Sequence, residues 1–269
     1  MNWPRVRALM RKDLRAVTSS RMVIMPMIVV PLMLCLLMPA ALTVLALTLG
    51  DLLVTGAEYI ERLLPYYPVP PSLSGTTQRV LYVFLNYTFL PLFLLVPLMV
   101  STIVVADAVA GEKERRTLET LLFSPLTHQE FLAGKLLAAF LPAMLVCWGG
   151  FACYFVVVNL LGWLLASRLF VRSWIWLPTM LLLAPAVSAL GQALTLRVSL
   201  QARTFMEAQQ MSGMVVLPFV ALLVVQVAGL VVFRPLYVVL LAAALAGLAW
   251  WILARTAPRF TRERIVSIL

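Results

Sequence analysis

The sequence predicts an all-α, polytopic integral membrane protein: six transmembrane helices, an N-terminal interfacial helix, and a helical hairpin at the membrane surface between the second and third spans. Three observations carry this prediction. The composition is 63% hydrophobic and only 12% charged, whereas a soluble domain carries about a quarter charged residues. The hydrophobic residues fall into six uncharged runs, at about 22–49, 80–106, 136–160, 174–196, 213–233 and 235–254, each near the ~20 residues that a helix needs to cross a bilayer. Finally, 16 of the 21 Lys and Arg residues lie on one side if both termini are cytoplasmic. That is the asymmetry of the positive-inside rule. The net charge of +10 is therefore a topology signal directed at anionic lipid headgroups, and nucleic acid is not implied.

Residues 2–20 precede the first run. Trp3, Val6, Met10, Leu14 and Val17 recur at helical spacing, with Arg5, Arg7, Arg11, Lys12 and Arg15 around them, the pattern of a basic helix lying in an interface. The apolar run behind it is too long for a signal-peptide core. The first span contains Pro26, Pro31 and Pro39, which suits either an irregular helix beside a cavity or packing kinks. Residues 51–79 fall outside, with a short amphipathic helix expected over 51–64 and a proline-rich turn after it. The second span carries Asn86, Pro91 and Pro97; Asn86 fits either a pathway wall or a helix–helix hydrogen bond. Gly149–Gly150 in the third span is a small pair that admits a neighbouring helix. Trp163, Trp174 and Trp176 stand where an aromatic belt belongs. A polar loop over 197–212 leads to the fifth span with Pro218 and Gln226, which turns into the sixth at Arg234–Pro235. Cys35, Cys147 and Cys153 lie in apolar runs as small packing residues.

The longest polar interruption is Asp107–Lys135, with five acidic and four basic residues. Leu118, Leu121 and Leu122 share a helical face, with Glu112, Glu114, Arg115 and Glu119 elsewhere, and Pro125 ends that helix. A second helix opens with a capping box: Thr127 as N-cap, Glu130 three residues on, and Leu126 and Phe131 as the hydrophobic staple. The pattern E-K-E-x-x-T-L-E-x-L-L-x-x-P-x-x-x-x-E-x-x-x-G-K closely resembles the loop after the second span in permease subunits of ABC-2 type ATP-binding cassette exporters. Arg116 departs from it, standing where a glycine is common before the threonine. The resemblance implies an elbow helix at the N-terminus and a coupling helix that docks on a nucleotide-binding ATPase. Glu112, Lys113, Glu114, Arg115, Arg116, Thr117, Glu119 and Pro125 are the coupling residues. It also implies pairing with a second permease copy or paralogue around the first, second and fifth spans. Asn86, Pro91, Pro218 and Gln226 then line a substrate pathway.

No catalytic constellation and no metal spacing is present. His128 is the only histidine, and Gly134–Lys135 lacks both the upstream glycine and the following Ser/Thr of a P-loop. The chain is thus not an enzyme by itself and binds no cofactor; ATP and Mg belong to the partner ATPase. Acidic residues are absent from the spans, which disfavours an ion-coupled pump. The expected role is a multi-pass permease subunit in the plasma (inner) membrane that exports a hydrophobic or amphipathic cargo such as a lipid, drug or peptide. The alternatives are a non-transporting scaffold or sensor subunit and an ion-exporting permease of the same family.

Overall fold

The computed structural model describes residues 2–54, 64–73, 75–117, 127–227 and 234–256. It is helical throughout, with no strand among the described residues. An N-terminal helix, Trp3–Ser19, turns at Ser20 into six helices long and apolar enough to cross a membrane. These are Arg21–Gly50, Thr76–Glu114, Gln129–Ala166, Trp176–Ser199, Phe205–Gln226 and Pro235–Thr256.

The second and fourth spans form the centre. Of their most apolar stretches 83% and 72% are buried, against 18–28% for the other four. Lipid is as apolar as leucine, so burial alone does not hold such helices together; close backbone approach and hydrogen bonds do. Gly191 provides the approach, because a Cβ there would come within 2.6 Å of Leu98 Cδ1. Ser101 Oγ donates to the Ser188 carbonyl across the same seam. Gly150 admits Cys35 of the first span in the same way, with a Cβ reaching 3.3 Å from its sulfur, whereas Gly149 faces open space.

Three spans depart from regular α-helix in four π-turns: Leu32–Leu37 of the first after Pro31, Phe84–Thr88 and Asp107–Gly111 of the second, and Thr179–Leu183 of the fourth after Pro178. A π-turn or proline frees a carbonyl in a medium with no water to satisfy it, and in the last three of these turns a side chain from the third span takes one. Ala184 N–H bonds the Thr179 carbonyl five residues back. Pro185 follows in that register and has no N–H for Met180, and Trp148 Nε1 donates to the Met180 carbonyl at 3.0 Å. Tyr154 Oη donates to the Leu85 carbonyl at 2.7 Å from within a cluster of Phe89, Phe93, Phe151 and Trp176.

The helices are longer than the hydropathy pattern implies. The second span runs on to Glu114, so the charged triplet Glu112–Glu114 is its last turn and the helix ends before Arg115. The residues 197–212, expected as a loop, are helical except for the turn around 200–204. Trp174 is 82% exposed as a belt residue should be, but Trp176 is buried in the aromatic cluster. The amphipathic helix expected over 51–64 and the leucine face of 118–122 fall largely or wholly outside the described residues.

Candidate functional site

The end of the bundle that carries the N-terminal helix gathers the charged motif. On the N-terminal helix, Val6, Leu9, Asp13 and Val17 are buried, spaced at three and four residues along one face. That face lies along the start of the third span. Gly134 permits the approach, since a Cβ there would come within 2.8 Å of Leu9. The capping box forms as the sequence implies: Thr127 Oγ1 accepts from Glu130 N–H, and the Glu130 carboxylate accepts from Thr127 N–H at 3.0 Å. The other Glu130 oxygen accepts the Asn2 amide at 2.7 Å. One carboxylate thus caps the third span and anchors the N-terminal helix.

Four charges meet one turn further in. Lys135 is 1% exposed, and its ammonium donates to Glu112 Oε2 at 2.7 Å and to the Ala108 carbonyl at 2.6 Å. The carbonyl is available because the Asp107–Gly111 π-turn directs Glu112 N–H to Asp107. Asp13 Oδ2 lies 3.5 Å from the same ammonium. Lys12 bonds the other Glu112 oxygen and lies 3.2 Å from Asp13 Oδ1. Two cations therefore balance two anions, as burial of ion pairs demands. Partial burial acts to lower the Lys12 pKa, but the Glu112 and Asp13 carboxylates outweigh it and hold it above its ordinary value.

The next two motif residues face other spans. Lys113 donates to the carbonyls of Leu200 and Ala202, at 3.4 and 3.2 Å, where the fourth span ends. Glu114 Oε2 accepts from Phe205 N–H at 2.9 Å, where the fifth helix begins. A cation thus meets a helix C-terminus and an anion a helix N-terminus, each with the favourable sign for the helix dipole. Thr204 caps the same helix, its hydroxyl accepting from Glu207 N–H. Three consecutive residues at the tip of the second span therefore grip three different parts of the bundle.

The tip closes in a Schellman turn: Thr117 N–H bonds the Glu112 carbonyl at 2.9 Å and Arg116 N–H the Lys113 carbonyl at 3.1 Å. Arg116 adopts φ 56°, the left-handed conformation that glycine takes without strain. This is why glycine suits the position. Arg115 pairs with Asp107 at 3.1 Å, over a Gly111 that has no room for a Cβ. Glu114, Arg115, Arg116 and Thr117 are exposed, Lys113 is half-buried and Glu112 is buried. Glu119 and Pro125 lie outside the described residues.

At the far end, Asn86 is bonded to the segment joining the third and fourth spans, and Pro91 and Gln226 meet at one carbonyl. Asn86 is fully buried and donates to the Tyr82 and Phe170 carbonyls, and its Oδ1 accepts from Ser173 N–H. Asn159 holds the same connecting segment, accepting from Phe170 and Val171 N–H and donating to the Val171 carbonyl. Pro91 lacks the N–H that the Tyr87 carbonyl would otherwise receive, and Gln226 Nε2 of the fifth span donates to that carbonyl at 2.5 Å. Gln226 Oε1 is buried without a hydrogen-bond partner, and Pro218 is exposed.

The sequence reading missed Lys12 and Lys135 as partners of Glu112, and Asp13 as the second carboxylate beside both lysines. A signal existed for Asp13, the one carboxylate in the N-terminal helix, which falls on the buried 6–9–13–17 stripe. The proline–acceptor pairs were also open to inference, since each proline marks an orphaned carbonyl four or five residues back. No cluster of metal-ligating side chains occurs among the described residues.

A family model described as ABC-2 family transporter protein matches residues 7–247. No curated protein and no solved structure matches the chain significantly. The family match takes in all of the second, third and fourth spans and the charged tip that joins them, and it agrees with six membrane-spanning helices. The chain is a multi-pass membrane protein that belongs to the ABC-2 transporter family.

Proposed function

We propose that this chain is the permease subunit of an exporter that moves a hydrophobic or amphipathic cargo with ATP hydrolysed by a separate nucleotide-binding subunit. The reading rests on one observation above the others. The Glu112–Glu114 tip ties the N-terminal helix and the third, fourth and fifth spans together next to an exposed Arg115–Thr117 edge. A partner that docks on that edge and prefers one arrangement of the tip shifts the whole bundle toward it, and differential affinity is the only way a ligand can do so. Both termini and this tip are cytoplasmic in the proposed topology, and Trp3–Ser19 is the elbow helix. The absence of a P-loop from the sequence is consistent with ATP and Mg residing on the partner.

Transport in this reading proceeds at the seam of two permease copies. The first and fifth spans leave most of their surface uncovered in one chain, as such a seam requires. Pro218 would face the route, while Asn86, Pro91 and the buried Gln226 would shape the second span beside it. The test is coexpression with a candidate ATPase and a photo-crosslinking residue at position 117. Capture of the ATPase, together with reduced cargo-stimulated hydrolysis in E114K at unchanged membrane insertion, supports the docking. A position-117 probe that never captures the ATPase in an active complex removes it.

A further inference from the structure

We propose that the far end of the bundle holds a binding site for a phosphate-headed anionic amphipath, with its headgroup between Arg172 and Arg234 and its acyl chain in the apolar groove past Trp174. Two adjoining concavities carry the argument. The first, of about 640 Å³, is walled by Tyr67, Tyr82 and Tyr87 and has both arginines at its rim. Its size suits a headgroup or small molecule. Neither arginine forms an ion pair among the described residues, and none of the described residues lining the cavity is a carboxylate. Arg234 also immediately precedes the sixth span, Pro235–Thr256, so an anion there meets the positive end of that helix dipole as well.

The second concavity, of about 450 Å³, is walled by Phe155, Leu169 and Leu177 and shares Arg172, Ser173 and Trp174 with the first. These three apolar side chains are exposed, as lipid-facing groups are. A three-residue ridge thus separates a basic, tyrosine-lined chamber from a hydrocarbon groove. A free anion would use only the chamber and a neutral lipid only the groove. A molecule with a phosphate and an acyl chain uses both, and guanidinium groups are well matched to phosphate oxygens.

Ser173 of the ridge is held from the second span. Asn86 fixes Ser173 N–H, Tyr87 Oη lies 3.3 Å from Ser173 Oγ, and Phe170 is wedged against Gly162, where a Cβ would meet its ring at 2.6 Å. Arg172 therefore projects from a held segment, and Arg234 from the start of the sixth span.

The experiment uses the full chain in phosphatidylcholine nanodiscs doped with phosphatidylglycerol bearing a photoactivatable acyl chain, with photoactivatable phosphatidylcholine as the matched probe. Adducts are mapped by mass spectrometry. Labelling should concentrate on residues 151–177 and exceed that of the neutral probe about tenfold. R172Q/R234Q should remove most of the excess, R172K/R234K should keep a large part of it, and R168Q, at the same end but outside the chamber, should leave it unchanged. Retention of labelling in the lysine variant separates lost charge from lost fold. Millimolar glycerol phosphate should leave the adducts in place; complete displacement would make the site one for a free phosphate and overturn the acyl half. Equal labelling by both probes, or unchanged labelling in R172Q/R234Q, overturns the proposal. The readout needs neither ATP nor a partner subunit, so its failure is distinct from failure of the transport reading.

Discussion

The Lys135 ammonium lies 2.7 Å from Glu112 Oε2 in the interior of the bundle, joining the tip of the second span to the start of the third. Both residues belong to the charged motif, yet neither is presented to a partner. Their role is to hold the helices from which the exposed motif residues project. Removing one member leaves the four-charge cluster out of balance, with one buried charge uncompensated.

Lys135→Met should therefore destabilise the protein by about 3–5 kcal/mol. Glu112→Gln should be costly as well, since it leaves two lysines facing Asp13 alone. The double variant should lose less than the sum of the two, because the charges are removed together. Thermal unfolding in detergent of the two single variants and the double measures the coupling, and strict additivity would refute the contact.

Arg116 bears a left-handed backbone at the Schellman turn. Arg116→Gly should raise stability by about 1 kcal/mol, and Arg116→Ala should not, because alanine keeps the Cβ that makes the conformation unfavourable. Comparing the two melting curves isolates the backbone term from loss of the guanidinium.

Gln226→Leu should cost about 1 kcal/mol by leaving the Tyr87 carbonyl unpartnered in an apolar setting. Adding Pro91→Ala restores a backbone N–H for that carbonyl and should recover part of the loss. Export and ATPase activity measured on the same pair separate a structural from a transport role. If the double variant regains stability but not export, Gln226 serves the route itself.

Asn86 and Asn159 both hold the segment joining the third and fourth spans. Asn159→Leu should therefore speed hydrogen exchange at the Phe170 and Val171 amides by one to two orders of magnitude, roughly the loss of 1–3 kcal/mol of local protection. Exchange at the Gly191 region of the fourth span should stay the same. A uniform rise over the whole bundle would instead mean that the asparagine supports global stability.

Legibility differs from one element to the next. The six spans were readable because each is an uncharged run long enough to cross a bilayer. Thr127 and Glu130 were readable because a capping box depends only on residues three apart. The end of the second span was not: Ala106–Glu114 changes from apolar to charged while its backbone stays helical. Hydropathy reports solvent preference, and here Glu112 is buried by paying its cost through Lys12 and Lys135, which stand far from it in sequence.

The sequence by itself thus determined the all-helical class, the number of spans, the charge asymmetry and the motif that marks the family, because these depend on local hydrophobicity and short-range spacing. Only the tertiary structure decided which motif residues face inward and which face out. It also decided that Gln226 answers Pro91, Trp148 answers Pro185 and Asp13 joins Lys135. Those pairings arise because a kinked helix can free a carbonyl, and a buried side chain can carry a charge, that lipid does not satisfy. The partner that satisfies it is set by which spans lie side by side, and neighbouring spans are specified by packing, not by order along the chain.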